Sequence, residues 1–221
     1  MNIVGCDLSM NASGITKFKL DKDLNVIEKD YLAFTTTKKY ETNNVTHYSK
    51  KQFKDGYEKN WWMLDIIMGY IGDVDYIAFE DYSLASQGKV FDIAEFSGLI
   101  RQHLYKTGTP LRFYVPGQIK KYATGNGSAD KIRMAEHYDL LTYEEKFDVS
   151  FLPPTKTKSC KEDIIDSYYI AKLLQLELKV RKGMIIVKDL TDKQREIFNH
   201  TSKKYTENLL VRPFLQDEKI I

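Results

Sequence analysis

Residues 159–172, Ser159-Cys160-Lys161-Glu162-Asp163-Ile164-Ile165-Asp166-Ser167-Tyr168-Tyr169-Ile170-Ala171-Lys172, constrain the fold more than any other stretch. Ser159 and Glu162 stand at capping-box spacing, which predicts a helix that starts here, Glu162 reaching back to the cap. Asp163 and Asp166 are three positions apart, so both carboxylates share one face within a turn. Ile164, Ile165, Leu173 and Leu174 bury other parts of the helix. Two carboxylates this close repel each other. A solvated acidic first turn, favoured by the helix dipole, explains such a pair taken alone. The question is whether the rest of the chain brings further acids to the same place.

It supplies two, each at the end of an expected strand. Residues 2–7 read as a short buried strand ending at Asp7, followed by a turn-rich segment to Gly14. Residues 15–20 alternate in polarity, Asp21-Lys22-Asp23 makes a turn, and residues 26–34 complete an antiparallel meander. Residues 35–55 are polar and lysine-rich, which predicts a long loop or insertion. A helix over 57–71 precedes an apolar strand, 74–79, that runs straight into Glu80. A second helix over 88–105, a strand over 111–115 and a short helix opened by Pro116 follow. Ser128 is the expected cap of the next helix, and Pro153-Pro154 forbids helix in the irregular stretch before the acidic helix. Residues 180–187 read as a strand, and Thr191 with Gln194 as a second capping box opening a basic helix to about Lys204. Strands alternating with helices after a meander predict an α/β layer fold with a mixed sheet.

Size and charge set the remaining bounds. The 221 residues fit one domain with an appendage, here taken as 1–180 and 181–221. A net charge of +2 means that a basic surface has to come from local clustering. The N-terminus lacks the pattern of a signal peptide, and no run approaches the roughly 18 apolar residues of a membrane span. Cys6 and Cys160 have no metal-ligand spacing and read as reduced thiols of a cytoplasmic protein.

In a sheet with parallel strands, sites form at the strands' C-terminal ends. Asp7 and Glu80 end two such strands, and a helix laid across that edge adds Asp163 and Asp166. Buried carboxylates must be protonated or paired with cations. An all-oxygen set without a Cys or His cluster favours Mg²⁺ or Mn²⁺. Two such ions about 4 Å apart suit phosphodiester hydrolysis.

The ordered motifs Gly5-Cys6-Asp7-Leu8-Ser9…Ser13-Gly14, Ala78-Phe79-Glu80, Gly127-Ser128-Ala129-Asp130-Lys131 and Asp163-x-x-Asp166-Ser167…Ile170-Ala171 resemble those of the RuvC-type Holliday junction resolvases. The likeness is to the phage-encoded branch, within the ribonuclease H-like superfamily, and runs from residue 3 to about 172. It implies a ribonuclease H-like mixed five-stranded sheet flanked by helices, here with a C-terminal extension. It also implies a homodimeric, metal-dependent endonuclease that nicks opposing strands of a four-way DNA junction, in the host cytoplasm if phage-encoded. By that resemblance Asp7, Glu80, Asp163 and Asp166 match the metal-binding carboxylates, and Lys131 a basic residue beside the scissile phosphate. Two positions depart from the bacterial pattern. Leu8-Ser9 stands where Pro-Gly is common, and Ser83, with Tyr82 beside it, stands where an aromatic pries at the junction centre.

Between residues 99 and 133, Arg101, Lys106, Arg112, Lys120, Lys121, Lys131 and Arg133 are opposed only by Asp130. Beside a carboxylate pocket such a run reads as a phosphate track, with Arg112, Lys120, Lys121, Arg133, Tyr82 and Ser128 as DNA-contacting candidates. The Gly125-Asn126-Gly127 loop could cradle a phosphate. Asp81 should face away from Glu80 on a strand. Trp61 is expected to pack inward and Trp62 to lie at a dimer surface. The same acids also suit a ribonuclease H-like nuclease acting on flaps, forks or RNA–DNA hybrid. A non-catalytic branched-DNA-binding protein is the reading from a different class.

Overall fold

Alternation along two neighbouring strands decides the layering. In β1 (Asn2–Asp7), Ile3 joins one apolar cluster, whereas Val4 and Cys6 join the other. In β5 (Tyr76–Glu80), Tyr76 and Ala78 belong to the first cluster and Ile77 and Phe79 to the second. Side chains two apart share a face, so Asp7 and Glu80 end up on the same side of the sheet. The computed structural model describes residues 1–9, 11–81, 90–153 and 160–216.

The remaining strands are β2 (Gly14–Leu20), β3 (Val26–Thr35), β4 (Val45–His47) and β6 (Leu111–Tyr114), in the order β4-β3-β2-β1-β5-β6. The meander β1-β2-β3 is antiparallel, and β5 and β6 run parallel to β1. The sheet therefore has one strand more than the five expected. The sixth, β4, lies inside the polar stretch 35–55 and pairs parallel with β3. Two buried side chains, Val45 and Tyr48, anchor it, and the Tyr48 hydroxyl donates to the Asn11 carbonyl at 3.0 Å.

Helices α1 (Gly56–Ile71) and α2 (Val90–Lys106) cover one face through Met63, Leu64, Ile67, Phe96 and Ile100. The other face carries α5 (Lys161–Arg181), with α3 (Pro116–Thr124) and α4 (Lys131–Asp139) packed beside it. On α1 the two tryptophans are reversed from expectation. Trp62 packs against Phe34, Tyr48 and Phe53, whereas Trp61 is 56% exposed. The cap of α4 is Asp130, whose carboxylate accepts from the Arg133 N–H, and not Ser128. Ser159 falls outside the described residues.

The strand expected over 180–187 does not form. Helix α5 continues to Arg181, which reaches Glu177 one turn back, and Gly183 at φ +69° then turns the chain. The basic helix, α6 (Asp192–Phe198), starts at the expected Thr191–Gln194 capping box but ends six residues before Lys204.

Beyond α6 the chain returns across the sheet. Phe214 is buried, and Leu215 bridges to Leu111 of β6. A buried ionic cluster fastens this return. Glu177 accepts from Arg112 at 2.6 Å, Arg181 at 2.8 Å and the Tyr114 hydroxyl at 2.7 Å. The same two arginines donate to the carbonyls of Leu209, Arg212 and Pro213. Among the described residues, no helix is long and apolar enough to cross a membrane.

Candidate active site

Small residues bring α5 down onto the sheet edge where the acids lie. A Cβ at Gly5 would stand 2.4 Å from the Ala171 nitrogen, and one at Gly14 only 2.1 Å from the Asp163 carbonyl oxygen. Beside them the buried hydroxyls of Thr16 and Ser167 hydrogen-bond at 2.9 Å. Gly14 is the register partner of Asp7, so the contact that seats α5 also puts Asp163 beside the end of β1.

The result is a cleft of about 410 Å³ lined by Asp7, Glu80, Asp163 and Asp166 together with Lys120 and Lys131. The four acids inferred from sequence thus converge. Lys131, the first residue of α4, reaches Glu162 at 2.9 Å and Asp166 at 3.8 Å. Glu162 therefore engages a cation of the site. Lys120 comes from α3.

All four carboxyls are raised above the ordinary range. For Asp163 and Glu80 burial is the first cause and repulsion by Asp7 the second, and both lie well above it. Asp166 is pushed up to about 7 by burial and then by Asp7, with Lys131 opposing. Asp7 is raised by burial, against the pull of Lys131 and a side-chain hydrogen bond with Glu80. Burial lowers the Lys131 ammonium, but Asp166, Asp7, Asp163 and Glu162 outweigh it and hold it above its usual value. Asp163 is buried and Asp7, Glu80 and Asp166 are half-buried, and ionising all four beside two lysines would leave an excess of negative charge.

That excess, on oxygen donors alone, fits a hard divalent cation. Among the described residues, no three acids, histidines or cysteines already surround one point in ligating geometry. The fit therefore lies in the donor set and in the elements that bring it to one cleft.

The DNA-contacting candidates divide. Lys120 faces the cleft. Lys121 turns to Glu196 of α6, and Ser128 and Arg133 are exposed. Arg112 is corrected: it is 2% exposed and committed to Glu177, so it cannot meet a phosphate. On β6 it follows Leu111, which faces the α1–α2 side, and so must point toward the α5 side. Arg101 is half-buried and donates to the Glu80 carbonyl at 3.2 Å from above the Phe113 ring. Tyr82 and Ser83 lie outside the described residues.

Asp81 faces away from Glu80 as expected. It is 3% exposed, and its carboxylate accepts from Lys204 and from the Tyr205 hydroxyl. Sequence reasoning missed this pairing, because a lysine in a polar tail carries no local sign of a partner 123 positions away.

No protein-family model matches the sequence, and no curated protein matches it either. Solved structures do. The chain is similar to Thermus thermophilus RuvC in complex with a Holliday junction substrate, at 16% identity and TM-score 0.50, over 83% of this chain and 96% of that one. It is similar also to the yeast mitochondrial Holliday junction resolvase, at 15% identity and TM-score 0.50, over 82% of each chain. At these identities the likeness is one of fold: the chain shares the mixed α/β sheet architecture of these two structures.

Proposed function

We propose that this chain is a metal-dependent endodeoxyribonuclease that resolves four-way or related branched DNA. One observation carries the reading. Asp7 and Glu80, at the ends of adjacent parallel strands, line a single cleft with Asp163 and Asp166 of the helix above them and with two lysines. The fold shared with junction resolvases supports the choice of substrate.

In this reading the four carboxylates hold magnesium, two ions to a site, with manganese as a substitute. Bound there, the metal supplies a water of lowered pKa and neutralises charge on the phosphate. Lys131 stands beside the same carboxylates and offsets charge that develops on the phosphoryl oxygens. Lys120 places a second ammonium at the cleft, where it draws in the DNA backbone. Phosphate contacts of this kind set register without reading sequence, so selectivity rests on the shape of the branch.

Resolution needs two opposed nicks, hence two clefts, and we assign the active form as a homodimer. Trp61 of α1 and Phe91 of α2, 56% and 84% exposed, supply apolar surface for it. Both thiols are free and buried, which agrees with a reducing compartment such as the cytoplasm, the host's if the chain is phage-encoded.

The test is cleavage of synthetic four-way, flap, fork and RNA–DNA hybrid substrates with and without Mg²⁺. Paired nicks in the four-way junction, faster than on the other substrates, support the proposal. Preferred cutting of the hybrid moves the protein to another ribonuclease H-like activity. Junction binding without cutting in Mg²⁺ or Mn²⁺ makes it a non-catalytic binder.

A further inference from the structure

Glu80 is the last residue of β5, and its position depends on what holds the strand end. Two attachments do so. The Glu80 carbonyl accepts from Arg101. The next residue, Asp81, donates its N–H to the Tyr114 carbonyl at 2.8 Å, and its side chain, 1% exposed, is clasped by the C-terminal segment. Lys204 Nζ approaches the two carboxylate oxygens at 2.8 and 2.6 Å, and the Tyr205 hydroxyl donates at 2.6 Å.

The clasp is built. Ser202 and Tyr205 exchange backbone hydrogen bonds at 2.8 and 3.1 Å, closing a tight turn that presents both side chains. The Arg212 guanidinium lies 3.7 Å from the Tyr205 ring centre and donates to the Phe113 carbonyl at 2.8 Å. Arg112 and Arg181 hold the carbonyl of Arg212 in turn. The turn is thus fixed to β6, the neighbour of β5, and to α5, the helix that carries Asp163 and Asp166.

We propose that the turn at residues 202–205 is a positioning element of the nuclease centre: through Asp81 it fixes the end of β5 and so aims the Glu80 carboxylate into the cleft. The inference rests on the nuclease reading above. A buried carboxylate that loses a cation and a hydroxyl partner is drawn toward water or another cation, and any shift of Asp81 pulls on the backbone that it shares with Glu80. Small misplacements of a catalytic group cost rate far more than they cost substrate affinity. Lys204 itself is half exposed, so shortening it removes little packing.

The experiment compares the full chain with Lys204→Met combined with Tyr205→Phe, and with Lys204→Arg. It measures the single-turnover cleavage rate at saturating enzyme, the junction dissociation constant and amide hydrogen exchange. In the double variant the rate should fall roughly ten- to hundredfold with affinity unchanged. Exchange should rise at residues 79–81 and not in α5, and Lys204→Arg should keep the wild-type rate. Wild-type rate and exchange in the double variant overturn the proposal. So does lost affinity at an unchanged saturated rate, which makes Lys204 a phosphate contact, or faster exchange throughout α5, which makes the turn a general brace. If the unmodified chain cuts no DNA, the nuclease reading fails, and the exchange measurement alone decides whether the turn holds the end of β5.

Discussion

The carbonyl oxygen of Asp163 sits so close over Gly14 that a Cβ there would lie 2.1 Å from it. The obstacle is backbone and cannot rotate away, so any side chain at position 14 must lift the start of α5 from the sheet. Gly14→Ala should destabilise the fold by about 1–3 kcal/mol, the usual range for forced overpacking. It should also abolish cleavage, because Asp163 and Asp166 move with the helix. Urea denaturation and a cleavage assay check the two effects together.

The buried cluster at Glu177 makes a separate prediction about stability. Glu177 is wholly buried between Arg112 and Arg181. Glu177→Gln leaves both guanidiniums short of an anion and should cost roughly 3–5 kcal/mol. Urea denaturation should show the loss at a nearly unchanged m-value.

The acids themselves make metal-free stability fall as pH rises. Asp166 in the folded chain holds its proton up to about pH 7, whereas an unfolded aspartate loses it near pH 3.9. Between these values the folded state binds more protons, so unfolding becomes easier as pH increases. In EDTA, melting temperature should therefore fall more steeply across that window for the wild type than for Asp166→Asn. Parallel curves would contradict the burial and repulsion assigned to the site.

Lys120 and Lys121 should separate in DNA binding. Lys120 lines the cleft, whereas Lys121 is turned to Glu196. Lys120→Ala should weaken junction binding and reduce the salt slope by about one, and Lys121→Ala should do less of both. Dissociation constants measured across a salt series give the comparison.

The legible parts of this chain were those written in local periodicity. Strand alternation set Glu80 on the face of Ala78 and Asp81 on the other, and three-residue spacing put Asp163 and Asp166 together. Glycines five and fourteen mattered for a different reason, the close approach of a helix, which no strand pattern announces. Arg112 was misplaced because charge composition was read without its strand face, and its partner Glu177 lies 65 positions away. β4 escaped because Val45 and Tyr48 stand in a polar stretch too short for a period to show. The strand expected over 180–187 failed because Val180 and Arg181 end α5, Gly183 turns the chain and Val187 opens a single 3-10 turn. Long-range ionic pairs such as Asp81 with Lys204 are set by the folded path of the chain alone.

The most direct test is cleavage of a mobile four-way junction by the wild type and by Asp7→Asn in Mg²⁺, with junction binding measured in parallel. The account predicts paired nicks from the wild type, and none from the variant at comparable affinity. Equal cutting by both proteins, or wild-type protein that binds the junction and leaves it intact in Mg²⁺ and Mn²⁺ alike, would contradict it.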